Sequence, residues 1–191
     1  MDTGSGKTTV AVLRIAEELK RLSSEKLIWF LCPSVELSLQ QHRVLTKQLP
    51  AVHTRLLLGK DGVEHWSSKA IWEDVLRDMQ VMVSTYQVLA DALRHSFVSM
   101  SRLSLLVVDE AHHCNGKSAV NRIMKDFYHP AKHQGKPVPA ILGLTATPLV
   151  KRKVQDLKLI ESSLDLFNPV QHCILLKNGV VNERLSNVKK M

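Results

Sequence analysis

The chain has 191 residues, with 26 Lys and Arg against 18 Asp and Glu, a formal charge of +8 and a pI near 9.5. An apolar content of 45% suits one α/β domain with a real core rather than two domains, and the basic balance suits a polyanionic partner. No apolar run is long enough to cross a bilayer and no charged-then-apolar leader opens the chain, so it reads as soluble and intracellular, cytoplasmic or nuclear.

The first informative segment is Met1-Asp2-Thr3-Gly4-Ser5-Gly6-Lys7-Thr8-Thr9. Gly4 and Gly6 can turn the backbone tightly around a β-phosphate because glycine enters positive φ without steric cost. Lys7 has the reach for the β- and γ-phosphates, and the Thr8 hydroxyl suits Mg²⁺. Thr3, Gly4, Ser5, Gly6, Lys7, Thr8 and Thr9 therefore form the candidate ATP-binding segment, with ATP and Mg²⁺ as implied cofactors. Val10, Val12, Leu13, Ile15, Ala16, Leu19 and Leu22 follow at helical spacing, so the loop feeds a helix N-terminus whose dipole favours anions.

Leu27 to Cys32 reads as a buried strand stopped by Pro33, after which Ser34 can cap a helix carrying Leu37, Leu45 and Leu49. Val52 to Leu58 is the next expected strand, and Gly59-Lys60-Asp61-Gly62 a loop. Its glycines Gly59 and Gly62 either bring backbone amides to a nucleic-acid phosphate or form an ordinary turn. Lys69 to Met79 is expected to be helical, with Trp72 packing on its apolar side, and Trp66 is likewise read as a packing residue. The strand Val81 to Ser84 delivers Thr85 and Gln87, which either hold a sugar-phosphate backbone or cap a helix from Val88 to Leu93.

Leu103 to Val108 is continuously apolar, as in a strand covered on both faces of a parallel sheet. Asp109 and Glu110 arrive together at its carboxyl edge, where ligands of open α/β sheets bind. Asp109 suits Mg²⁺, directly or through water, and Glu110 suits polarisation of the attacking water. His112, His113 and Cys114 do not make a zinc site, because consecutive residues converge poorly on one ion and no second pair has ligand spacing; His113 and Cys114 read as packing residues or as residues that support the site from behind. The three cysteines, Cys32, Cys114 and Cys173, are widely spaced and odd in number, which fits reduced thiols.

His129 to Pro139, with three prolines and a glycine, reads as a surface loop before the strand Ala140 to Leu144. Thr145 and Thr147 follow on the same sheet edge as Asp109 and either sense the γ-phosphate or serve as caps. Val154 to Leu164 has helical phasing. The basic clusters Lys151-Arg152-Lys153 and Lys189-Lys190 are short, and solvated faces explain them as well as a nucleic-acid patch does.

These segments, in this order, resemble superfamily 2 helicases. Asp109-Glu110-Ala111-His112 resembles the DEAH box, and Leu31-Cys32-Pro33-Ser34-Val35 with Gln40-Gln41 resembles motif Ia. Val83-Ser84-Thr85-Tyr86-Gln87 resembles the Thr-Pro-Gln-type motif with tyrosine where proline is commoner, and Gly143-Leu144-Thr145-Ala146-Thr147-Pro148 resembles motif III. The best resemblance is to the amino-terminal helicase lobe of fungal Dicer-like proteins. It implies a RecA-like phosphate-loop lobe with a mostly parallel sheet flanked by helices over residues 1–166, with 167–191 an unassigned tail or linker. It further implies Glu110, Asp109 and His112 as catalytic residues, with His112, Thr145 and Thr147 coupling nucleotide state. Pro33, Ser34, Gly59, Gly62, Thr85 and Gln87 are then the nucleic-acid contacts. The implied function is the ATP-binding lobe of an RNA-dependent ATPase in a Dicer-like endoribonuclease, with double-stranded RNA and a second helicase lobe as partners. The alternatives are a lobe of a DNA helicase or translocase, or a non-catalytic module that binds RNA or a partner.

Two departures from the family accompany the resemblance. The chain begins at the phosphate loop, so the sheet is expected to lack the central strand that precedes this loop in relatives, along with the segment that grips adenine there. The arginine-bearing motifs of a second lobe are absent too, so the chain alone is expected to be inactive; loss of such an arginine lowers hydrolysis by about 10³–10⁵.

Overall fold

A computed structural model of the protein describes residues 6–59 and 69–145. Its strands are β1 (Leu27–Cys32), β2 (Thr54–Leu57), β3 (Val81–Thr85), β4 (Leu103–Val108) and β5 (Ala140–Gly143). They form one parallel sheet in the order β2-β3-β1-β4-β5. β1 and β4 sit inside the sheet, and their runs Leu-Ile-Trp-Phe-Leu-Cys and Leu-Ser-Leu-Leu-Val-Val are buried except at Ser104, which is half-buried. That is why both could be read as uninterrupted apolar segments. These five strands pair continuously, with β2 and β5 as the edges among the described residues.

Side chains alternate between two faces, as the pleat requires. Ile28, Phe30 and Cys32 of β1 pack with Val81, Val83, Leu105, Val107 and Leu142 against helices α1 (Lys7–Leu19) and α2 (Val35–Gln48). Leu27, Trp29 and Leu31 pack on the other face with Met82, Leu106 and Val108, against α3 (Lys69–Val75), α4 (Tyr86–Arg94) and the helical segment beyond residue 118. Burial of each large side chain contributes about 1.5–3 kcal/mol, and Trp29, Trp72, Phe30 and Tyr128 are among the largest fully buried ones. The Trp29 indole N–H donates to Ser84 Oγ at 2.9 Å, so the ring's one polar atom is satisfied inside the core.

The helices begin and end for identifiable reasons. Ser34 stands in extended conformation after Pro33, and its hydroxyl accepts the Leu37 N–H at 3.3 Å, the expected cap of α2. The buried face of α2 is Ser38, Gln41 and Leu45, while Leu37 and Leu49 are only half-buried. In α1 the inward stripe is Ala11, Ile15 and Glu18, leaving Leu13 64% exposed despite its apolar character. α3 stops at Val75, four residues short of the expected Met79, and the turn after it holds Asp78 at φ 59°. Strand β2 is shorter than Val52 to Leu58, and β5 ends at Gly143 rather than Leu144.

The expected loop from His129 to Pro139 is a correction. Ala119–Arg122 (α5), a π-helical stretch Ile123–Tyr128 and His129–His133 (α6) run end to end, and only residues 134–139 form a connector. Pro130 has no N–H for the carbonyl four residues back, and the widened π turn before it accommodates that loss. α4 likewise begins at Tyr86, two residues earlier than expected. Trp66, the basic cluster 151–153, the expected helix Val154 to Leu164 and the segment 167–191 lie outside the described residues.

Glu18 is a carboxylate on the buried stripe of α1, 9% exposed. It accepts from Arg14 Nη1 at 2.7 Å and from the Ser104 hydroxyl of β4, tying the helix to an internal strand. Burial alone would raise its pKa, but the Ser104 hydroxyl, Arg14 and Arg21 outweigh that and hold it below the ordinary 4.5. A folded-state value below the unfolded one gives stability that is complete at neutral pH and is lost as pH falls from 4.5 through the folded value. Glu18→Ala is expected to cost about 2–3 kcal/mol, the range for a charged hydrogen bond lost from a buried site, in denaturant unfolding at pH 7. The gap from the parent should narrow in acid; an unchanged midpoint at pH 7 would contradict the role.

Candidate active site at the carboxyl edge of the sheet

The strand ends collect the candidate residues on one edge. Pro33 and Ser34 leave β1, Thr85 ends β3, Asp109 follows β4 and Thr145 lies just past β5. Two bonds join the motifs after β4 and β5: the Ala111 N–H donates to the Leu144 carbonyl at 2.7 Å, and the Leu144 N–H to the Val108 carbonyl at 2.8 Å.

Helix α1 brings the phosphate-loop end to the same edge. Gly6 is its N-cap at φ 68°, a left-handed conformation that a side chain would strain, and the Val10 N–H donates to the Gly6 carbonyl at 3.1 Å. Lys7 Nζ then lies 2.9 Å from Glu110 Oε1, across 103 residues of sequence. Thr8 is half-buried and Thr9 exposed in the same first turn, whereas Thr3, Gly4 and Ser5 lie outside the described residues.

Glu110 is held at φ 49° and ψ 50°, a left-handed conformation that a non-glycine residue adopts at a cost of order 1–3 kcal/mol. The strain turns its carboxylate toward Lys7 on one side and His112 on the other. His112 Nδ1 lies 3.2 Å from Glu110 Oε2 and 2.9 Å from Thr145 Oγ1. Burial first, then neighbouring His113, pushes the His112 pKa down, which favours the neutral ring, and its Nδ1 lies within hydrogen-bond reach of both groups. Thr145, 1% exposed, is thereby joined to the Asp-Glu pair. Thr147 lies outside the described residues.

Asp109 is 4% exposed. Its Oδ1 accepts the Glu110 N–H at 3.0 Å and its Oδ2 faces Gln41 Nε2 at 3.4 Å. Burial, followed by the Glu110 charge, raises its pKa, with Lys7 opposing. The nearby Cys32 thiol is pushed up to about 12 by burial and by Asp109, which keeps it protonated. Cys114 is also buried and protonated, its pKa pushed up to about 12 by burial, and packs in the core; His113 is exposed but its ring lies 4.2 Å from that of His112, where it supports the site histidine.

The oxygen donors here fit Mg²⁺, which takes hard ligands and usually only one or two from protein. Asp109 supplies a carboxylate with unused lone pairs, and Gln41 Oε1 beside it is a buried acceptor without a partner, a state costing about 1–3 kcal/mol that a donor on a bound hydrated cation would relieve. Lys7 is a cation held at a helix start, the place where phosphate is favoured.

The expected nucleic-acid residues fare unevenly. Thr85 is the N-cap residue of α4 yet makes no capping bond, so the cap reading of its hydroxyl fails. Gln87 is exposed, with its oxygen taking a bond from Arg122 Nη2 at 2.8 Å and its nitrogen giving one to Asp91 at 2.9 Å. The Ser34 hydroxyl caps α2, Pro33 is half-buried, and Gly59 is exposed with open space where a Cβ would stand. Gly62 lies outside the described residues. Gln41 and Tyr86 carry polar contacts to Asp109 that were not assigned from sequence. A polar residue in phase with Ser38 and Leu45, and tyrosine in place of the usual proline, were the available signals.

A parallel sheet with helices on both faces, a glycine-capped helix presenting Lys7, and an acidic pair at the tip of an internal strand define a RecA-like nucleotide-binding lobe. The chain belongs to the DEAD/DEAH box helicase family, whose sequence profile matches residues 1–157. It is 56% identical over 167 residues to Dicer-like protein 2 of Aspergillus terreus, covering 86% of this chain and 12% of that protein. It is 48% identical over 174 residues to Dicer-like protein 2 of Cryphonectria parasitica, covering 90% of this chain and 12% of that one. The chain thus spans about 12% of the length of these curated relatives. The Pyrococcus furiosus Hef helicase domain has a similar fold, with a TM-score of 0.69 at 24% identity over 96% of this chain and 35% of that one. Among the described residues no helix is long and apolar enough to cross a membrane.

Because the folded-state pKa of Asp109 is raised, its contribution to stability is fully present below the unfolded value of 3.8 and is lost as pH rises through the folded value. At pH 7 the buried charge therefore works against the fold. Asp109→Asn is expected to raise the thermal midpoint of the nucleotide-free chain at pH 7, and a lowered midpoint would contradict this account.

Proposed function

We infer that this chain is the ATP-binding lobe of an RNA helicase that forms part of a Dicer-like endoribonuclease, acting on double-stranded RNA in gene silencing and antiviral defence. The observation that carries the reading is the Lys7–Glu110 contact, which brings the phosphate-loop lysine to the acidic pair after β4. The family, and the likeness to Dicer-like protein 2 at up to 56% identity, support the RNA and silencing parts of it.

In this reading Thr3, Gly4, Ser5, Gly6, Lys7, Thr8 and Thr9 cradle the triphosphate, and Thr8 and Asp109 hold Mg²⁺, which neutralises phosphate charge when bound. Glu110, released from Lys7, orients the attacking water. His112 with Thr145 and Thr147 conveys the state of that carboxylate toward the strand-end loops. Pro33, Ser34, Gly59, Gly62, Thr85 and Gln87 lie toward the nucleic acid. In this reading a second helicase lobe supplies the arginine that completes hydrolysis.

Thermal unfolding with and without Mg·ATP tests the reading. Nucleotide at about a hundred times its Kd should stabilise the parent by about 2.7 kcal/mol. Lys7→Ala should lose that response and Glu110→Gln should keep it. Equal responses from parent and Lys7→Ala would overturn the assignment.

A further inference from the structure

Every polar group of Asp109 is engaged by the protein. Its N–H donates to the Leu31 carbonyl at 2.9 Å, and its carboxylate takes bonds from the Glu110 N–H and Gln41 Nε2. Its backbone carbonyl accepts the Tyr86 hydroxyl. Local geometry supplies only the Glu110 bond. Gln41 comes from the inward face of α2, 68 residues away in sequence, and Tyr86 from the first position of α4, 23 residues away.

Both side chains are buried, at 6% and 7% exposure. A phenylalanine would fill the space of the Tyr86 ring, so core packing does not explain the hydroxyl. Gln41 is equally uneconomical as a packing residue: one end of its amide faces Asp109 and the other, Oε1, is buried without a partner. An acceptor held next to the carboxylate and lacking a donor is matched to water on a cation bound there.

We propose that Tyr86 and Gln41 are positioning residues for the metal-binding carboxylate, fixing Asp109 through its main chain and its side chain so that it meets Mg²⁺ in one orientation. The proposal rests on the nucleotide-site reading above. Tyr86 acts through the main chain of Asp109 and Gln41 through its carboxylate.

The test is equilibrium binding of a fluorescent ATP analogue to the full chain, titrated with Mg²⁺ and repeated in EDTA, for the parent, Tyr86→Phe and Gln41→Leu. Each variant is expected to raise the Mg²⁺ concentration at half-saturation about fivefold, the equivalent of one hydrogen bond. Affinity in EDTA should stay at the parent value. A purely structural role would weaken binding equally with and without Mg²⁺, and either that result or an unchanged Mg²⁺ dependence in both variants overturns the proposal. If Tyr86→Phe fails to fold, Gln41→Leu alone decides. A parent that binds no nucleotide under any condition refutes the nucleotide-site reading, and the positioning role with it. Binding by the parent with unchanged Mg²⁺ dependence in the variants refutes the positioning role alone.

Discussion

The 2.9 Å contact between Lys7 and Glu110 joins the start of α1 to the end of β4 and so brings the lysine of the phosphate-loop end to the acidic pair. The two side chains are only 15% and 24% exposed, so they attract in a medium poorer than bulk water while each has lost part of its hydration. Such a pair is costly to break without a replacement, because either charge would be left partly buried and alone. In the proposed reading a triphosphate would replace one of them: its oxygens would satisfy the ammonium, leaving Glu110 to His112 and solvent. The left-handed backbone at Glu110 is the other half of the device, since it aims the carboxylate across the edge rather than along the strand.

Around this contact the fold accepts local losses. Asp109 is charged in a place where burial opposes charge, Glu110 carries backbone strain, and Gln41 Oε1 lacks a donor. The rest of the structure supports these departures: a two-faced sheet, capped α2, and α1 anchored at its far end by Glu18 to Ser104 and at its near end by Lys7 to Glu110. The two anchors fix both the position and the rotation of α1 on the sheet. A buried carboxylate and an unpartnered acceptor meeting at one edge are the expected signature of a site shaped for a ligand, whereas the left-handed Asp78 and Ser96 stand in exposed turns away from it.

Much of the frame was legible in the chain because β1 and β4 are internal strands, covered on both faces and therefore continuously apolar. Edge strands carry a weaker signal, and β2, buried at only Leu57, came out shorter than its apolar run suggested. Periodicity over-read Leu13, which has the right character and phase for the core but points to solvent. Pro130 misled in the other direction, since a π turn lets the helix continue through a residue that ordinarily ends it. Lys7, Asp109, Glu110 and His112 could be picked out because their chemistry is concentrated in short motifs. Glu18, Gln41 and Tyr86 could not, because what defines them is a partner 86, 68 or 23 residues away.

The central claim is that Lys7 exchanges Glu110 for phosphate. The most direct measurement is a double-mutant cycle on the affinity of a non-hydrolysable ATP analogue, using the parent, Glu110→Gln, Lys7→Ala and the double variant. Glu110→Gln should bind the analogue more tightly than the parent, because the lysine no longer leaves a carboxylate to reach the ligand, and the same change should have no effect when Lys7 is already alanine. An affinity gain of equal size in both backgrounds, or none in either, would contradict the exchange.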